Sequence, residues 1–198
     1  MMVAVALVSC ASLLLELALT RLFSVVLFYH FAFLAISVAL LGLGAGGVFA
    51  YIRREKVAPL STSDFGFFIC LISAVSILVA LEVVLRLPIS LDLTWMNFGK
   101  LTMMYLVCAV PFFFTGLLFS VVFAREASGI GKVYGSDLLG GAVACMVVVP
   151  LLNWIGGPNA IVASALLMAA AAAIWAGSSK RRLQALVATL LFALLIGA

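Results

Sequence analysis

Along the chain, apolar runs of about 20 residues alternate with short gaps that hold most of the charge. A bilayer's hydrocarbon core is about 30 Å thick and takes about 20 residues of helix, so each run is long enough to cross it. The pattern predicts seven helices, at roughly 2–27, 30–51, 65–86, 101–124, 135–155, 158–178 and 183–198. The first boundary is the least marked, because "VVLFYHFAF" carries no Gly, Pro or Asn. Its turn is placed at Tyr29 and His30, since His is the most polar residue there. Pro111 and Pro150 stand inside the fourth and fifth runs and predict kinks, because proline lacks an N–H and crowds the preceding turn. The segment "LPISLDLTWMNFGK" (87–100) is apolar for a loop and is expected to lie in the headgroup region.

Composition settles the surrounding medium. Of 198 residues, 67% are hydrophobic and 9% charged, and the mean hydropathy is +1.39. A soluble domain carries about a quarter charged residues. Too few polar side chains are present to coat a water-facing surface, so lipid must face most of the molecule. The expected fold is an all-α, polytopic transmembrane helix bundle, a single domain over residues 1–198 and multi-pass in the cell (inner) membrane. The last run, "ATLLFALLIGA", has no polar flank, so the chain is expected to be part of a longer protein.

The net charge of +4 would suggest nucleic acid for a soluble protein, but here the charge is topological and no nucleic-acid partner is assigned. Arg53, Arg54 and Lys56 lie between runs two and three, Arg125 and Lys132 between four and five, and Lys180, Arg181 and Arg182 between six and seven. The opposite side holds only Arg21, Arg86 and Lys100. The positive-inside rule therefore makes the first set of gaps, and the N-terminus, cytoplasmic. An aromatic belt agrees, with Trp95 and Trp154 at the outer boundary and Tyr51, Tyr134 and Trp175 at the inner one. Cys10, Cys70, Cys108 and Cys145 each sit in an apolar run with no metal-ligand spacing and read as small buried hydrophobes. "LVSC" (7–10) resembles a lipoprotein cleavage box. No basic segment precedes it and the apolar run continues, so the first run is expected to remain as a helix.

Gly42, Gly44 and Gly47 form G-x-G-x-x-G, the spacing of a dinucleotide phosphate loop. That loop needs a strand before it and a helix opening after it, whereas here a dozen apolar residues precede and "VFAYIRR" follows as a helix exit. An open loop in the bilayer would also leave backbone groups without partners. The competing register, Gly42, Gly46 and Ala50, recurs every four residues and makes a bare stripe for close helix packing. Ser136, Gly140 and Ala144 form a second stripe, and Ala165, Ala169, Ala173 and Gly177 a third.

Ionisable groups within the runs are the functional candidates, because charge at mid-bilayer must face protein or water. Glu16 lies near the middle of the first run. Arg21 is five residues on, about 140° around the helix, so each needs a partner elsewhere; by depth, Arg21 could meet Glu82. Glu82 and Arg86, at i and i+4, also suit a local pair. Asp137 opens the fifth run, where it could cap the helix or face Arg53, Arg54 or Arg125. His30 reads as an interfacial polar residue or as a proton-linked or ligand-binding one. No nucleophile–base pair, metal constellation or phosphate loop is present, so no catalytic residue, metal or cofactor is assigned to this chain.

Two stretches, "LELALTRLFSVVLFYHFAFLAISVALLGLGAGG" (14–47) and "VYGSDLLGGAVACMVVVPLLNWIGGPNAIV" (133–162), resemble the membrane part of bacterial spermidine-synthase-like integral membrane proteins, sometimes labelled fused major-facilitator/spermidine synthase proteins. The resemblance marks Glu16, Arg21, Tyr29, His30, Tyr134 and Asp137. It implies a cytoplasmic aminopropyltransferase-like domain downstream, with the enzyme's active site there. The membrane domain would anchor that transferase and supply or export a cationic polyamine-type substrate, along a path lined by Glu16 and Asp137. The loop "GGVFAYIRREK" has the basic residues of a major-facilitator loop without its Asp. The alternatives are an independent secondary transporter or transporter half, with Glu16 as its carboxylate, and a purely structural anchor. The topology is directly testable: reporter fusions at 53–56 and 153–158 are expected on opposite sides of the membrane. Sharing a side would refute the span count.

Overall fold

The computed structural model describes residues 1–26, 32–87 and 94–177. They form α1 (Met2–Val26), α2 (Ala32–Ile52), a short α3 (Arg54–Val57), α4 (Thr62–Arg86), α5 (Trp95–Arg125), a single 3₁₀ turn (Ala127–Gly129) and α6 (Ile130–Gly177). The protein is all-helical, with no strand among the described residues. Five of these helices are long and apolar enough to cross a membrane. Tyr29 and His30, and the seventh predicted run at 183–198, lie outside the described residues.

Runs five and six are joined as one element. At 48 residues, α6 would measure about 72 Å if straight, more than twice the bilayer core. It is broken at Gly156, whose φ of 80° and ψ of 171° are open to glycine and costly for other residues. Pro158 follows in the first turn of the next arm, where a missing N–H costs no hydrogen bond. Pro111 and Pro150 both lie within helix, and the backbone leaves helical values at Gly156, between the expected runs 135–155 and 158–178. Ala144 and Val148 before the break, and Ala163 and Leu167 after it, gather on the same residues of α1, Cys10 and Leu14. The two arms thus fold back along one another.

α5 begins at Trp95 rather than near residue 101, so the end of the expected headgroup segment is helical. Thr94 caps it, its Oγ1 accepting from the Asn97 N–H at 3.3 Å. The Pro111 carbonyl accepts from Thr115 Oγ1 at 3.0 Å and from Ser73 Oγ at 3.3 Å, the second bond tying α4 to α5. The core between α1, α4, α5 and the second arm of α6 is filled by Leu15, Leu19, Phe23, Ile77, Met104, Phe112, Ile161 and Met168, all fully buried.

Contacts between helices are closest where side chains are missing. A Cβ built on Gly42 would stand 2.5 Å from the Ala109 carbonyl oxygen, and one on Gly46 would overlap the Phe113 carbonyl oxygen. Gly116 of α5 answers from the other side, its Cβ position falling 2.7 Å from Leu43 Cα. Ala50, buried, continues the stripe, and the Phe49 and Phe113 rings meet edge-on at 5.5 Å beside it. Gly140 does the same for α6 against α1, where a Cβ would overlap the Ala6 carbonyl, and Ala144 is fully buried one turn on. Gly44 and Gly47 meet nothing within 4 Å. The register of four, and not the G-x-G-x-x-G, is therefore the one in use.

Gly46→Ala and Gly140→Ala are each expected to destabilise by about 1–3 kcal/mol, the usual range for overpacking. Gly44→Ala should be neutral or slightly stabilising, since alanine is the better helix former. Thermal unfolding in detergent distinguishes them, and equal losses at all three would show that the stripe does not pack.

A carboxyl-lined cleft between helices α1 and α6

Ser9, Ser12, Leu13 and Glu16 recur at i, i+3, i+4 and i+7 and so share one face of α1. That face lines a cleft of about 270 Å³, closed by Leu43 of α2, Phe119 of α5 and Asp137 of α6. Glu16 and Asp137, 121 positions apart in the chain (137 minus 16), therefore border the same space. Both are half-buried. Among the described residues neither carboxyl group is paired with a cation, whereas Glu82 is paired with Arg86.

Backbone carbonyls on the cleft elements are tied by hydroxyls. Ser9 Oγ donates to the Asp137 carbonyl at 2.8 Å, fixing α6 to α1 beside the cleft. Thr20 Oγ1 donates to the Glu16 carbonyl at 2.8 Å, within α1. The small residues next to the cleft allow this proximity. Gly140 lies against Ala6, and Leu43 seats on Gly116, which brings α2 and α5 into the wall.

The remaining candidates lie elsewhere. Asp137 is two turns inside α6, not at its start, so it caps no helix. Its expected cationic partners are otherwise engaged: Arg53 lies over the Phe49 ring and Arg54 over Tyr51, at 5.8 and 5.5 Å. Arg125 donates to the Leu60 and Val57 carbonyls and to Thr62 Oγ1. Arg21 is exposed and makes no ion pair among the described residues, while Glu82 is taken by Arg86, its neighbour one turn away. Tyr134 is exposed and does not border the cleft. His30 lies outside the described residues. Trp175 is buried against Gly66 and is no belt residue, whereas Tyr51, Trp95 and Trp154 are exposed as a belt requires. Cys10, Cys70 and Cys108 are buried and Cys145 is exposed.

Ser9, Ser12, Leu43 and Phe119 were not among the expected site residues. The two serines could have been found from their helical register with Glu16. Leu43 and Phe119 carry no sequence signal, because only the packing of α2 on α5 turns them toward the cleft. Comparison of the chain with protein-family models, curated proteins and solved structures gave no match.

Ser9→Ala is expected to cost about 0.6 kcal/mol, the average for an interhelical hydrogen bond in a membrane. Ser12→Ala, which removes no such bond, should leave the unfolding midpoint in detergent unchanged; if both behave alike, the Ser9–Asp137 bond does not hold α6 to α1.

Proposed function

We propose that this chain is the membrane domain of a spermidine-synthase-like protein, and that its cleft receives a cationic polyamine-type substrate. The observation that carries the reading is that Glu16 and Asp137 border one cleft with no cation between them among the described residues. A polyamine alternates ammonium groups with short methylene chains. The cleft alternates in the same way, carboxyl and hydroxyl groups from Glu16, Asp137, Ser9 and Ser12 beside apolar walls from Leu13, Leu43 and Phe119. Hydrogen bonds between ammonium and carboxylate are worth about 1.5–3 kcal/mol each, and partial removal from water strengthens them. At about 270 Å³ the space lies at the small end of ligand pockets, which run from about 300 Å³ upward, and suits a slender chain.

The charge asymmetry supports the orientation. With basic gaps facing the cytoplasm, the N-terminus is cytoplasmic and the protein is multi-pass in the bacterial inner membrane, with seven spans. Asp137 follows the gap that contains Arg125 and Lys132 by little more than a turn, so the cleft lies toward the cytoplasmic half. A cytoplasmic transferase domain of the same protein would draw its polyamine from there.

Glu16→Gln and Asp137→Asn in the detergent-purified chain test the reading by equilibrium binding of labelled spermidine. Each is expected to weaken binding about 10- to 150-fold, the equivalent of one charge-assisted bond. Wild-type affinity in both variants, or no spermidine binding by the unmodified chain, would refute it.

A further inference from the structure

A second cavity, of about 300 Å³, opens at the basic end of α2, α3 and α5, bordered by Ala50, Tyr51, Arg54, Ser120, Val121 and Arg125 among others. We propose that it binds the phosphate of an anionic phospholipid headgroup.

The two guanidinium groups are fixed in place without being neutralised. Arg125 donates from Nη1 to the Leu60 carbonyl and Thr62 Oγ1, both at 2.9 Å, and from Nη2 to the Val57 carbonyl at 2.7 Å. A guanidinium has five N–H donors, so two remain free after these three bonds. All three acceptors are uncharged, so the positive charge stands. Arg54 lies over the Tyr51 ring, 5.5 Å from its centroid, which orients it on the other wall. Neither arginine forms an ion pair among the described residues. Arg53 and Lys56 raise the local potential further. A tetrahedral oxyanion is the ligand that two planar donor forks suit best.

The position selects a lipid over a free anion. The cavity lies where two membrane-length helices end, and Tyr51 has the exposure and location of a residue at headgroup level. Its remaining lining is mostly small and apolar, Ala50 and Val121 included, and Val48 and Phe49 of the same helix are exposed just above it. A headgroup phosphate would sit between the arginines while its acyl chains run along that apolar surface. Basic pockets between helices on the cytoplasmic side hold anionic headgroups by this chemistry.

Native mass spectrometry of the full chain in a neutral detergent, titrated with phosphatidylglycerol, phosphatidylcholine or inorganic phosphate, tests the assignment. Phosphatidylglycerol should be retained in preference to phosphatidylcholine. Arg54→Gln should weaken that retention about fivefold, as expected for one cation near the membrane surface, with Arg54→Lys losing less. Arg54 is the residue to change because Arg125 also holds the α3 turn against α5. Arg53→Gln, outside the cavity, removes only a share of the local potential and should weaken retention less than Arg54→Gln does. Equal losses from Arg53→Gln and Arg54→Gln would overturn the pocket in favour of diffuse surface charge. Displacement of the lipid by inorganic phosphate would overturn the lipid assignment in favour of a free anion.

Discussion

Everything else in this bundle depends on backbones approaching one another where side chains are absent. In lipid the hydrophobic effect does not drive helices together, because the tails are as apolar as the residues they would replace. Association must come from dispersion, which falls off within a fraction of an ångström, and from the few polar bonds available. Gly42 and Gly46 of α2 against Gly116 of α5, and Gly140 of α6 against Ala6 of α1, bring the main chains to contact. Those two contacts also place the cleft walls. Leu43 reaches the cleft beside Gly116, and Asp137 is carried to Ser9 one turn before Gly140. Packing and site are thus one construction.

The cleft differs from the other charged places in how its charge is met. At the end of α4, Glu82 meets Arg86 within one helix, and near the end of α5 Arg125 is surrounded by uncharged acceptors. Around Glu16 and Asp137 the described residues supply hydroxyls and apolar walls. A carboxyl group within a bilayer is costly unless something offsets it. Two such groups at one place, with no cation beside them among the described residues, are what the proposed polyamine site rests on.

Much of the fold was legible in the sequence because lipid imposes two simple periods, about 20 residues for a span and four for a packing stripe. The stripe Gly42, Gly46, Ala50 could be read directly. Its partner face was equally present as Gly116, Ser120 and Ala124, a spacing of four that went unread because only its first member is a glycine. The boundary between runs five and six, read at 155–158, brackets the break at Gly156, while Pro150, read as a kink, keeps its place within helix. A proline within a helix can be accommodated by its neighbours, whereas a φ of 80° cannot be helical. Glu16 and Asp137 were visible as charges in apolar runs, yet of the two roles open to Asp137, cap or ion-pair partner, the cap falls because α6 starts two turns before it. Trp175 was misplaced for a related reason: an indole near a boundary suits a headgroup belt and a glycine slot equally well, and only Gly66 decides between them.

That slot has a consequence of its own. The Trp175 ring fills the space where Gly66 lacks a side chain, with ring atoms 2.6–2.9 Å from the position of a Cβ, and its buried indole N–H has no acceptor among the described residues. Two smooth helices can slide along their axes or roll against each other at little energetic cost. A broad ring seated in a one-residue notch permits neither, so α4 and the second arm of α6 are indexed to a single setting, like a key in its keyway. A rod-like interface in the same place would be free to drift.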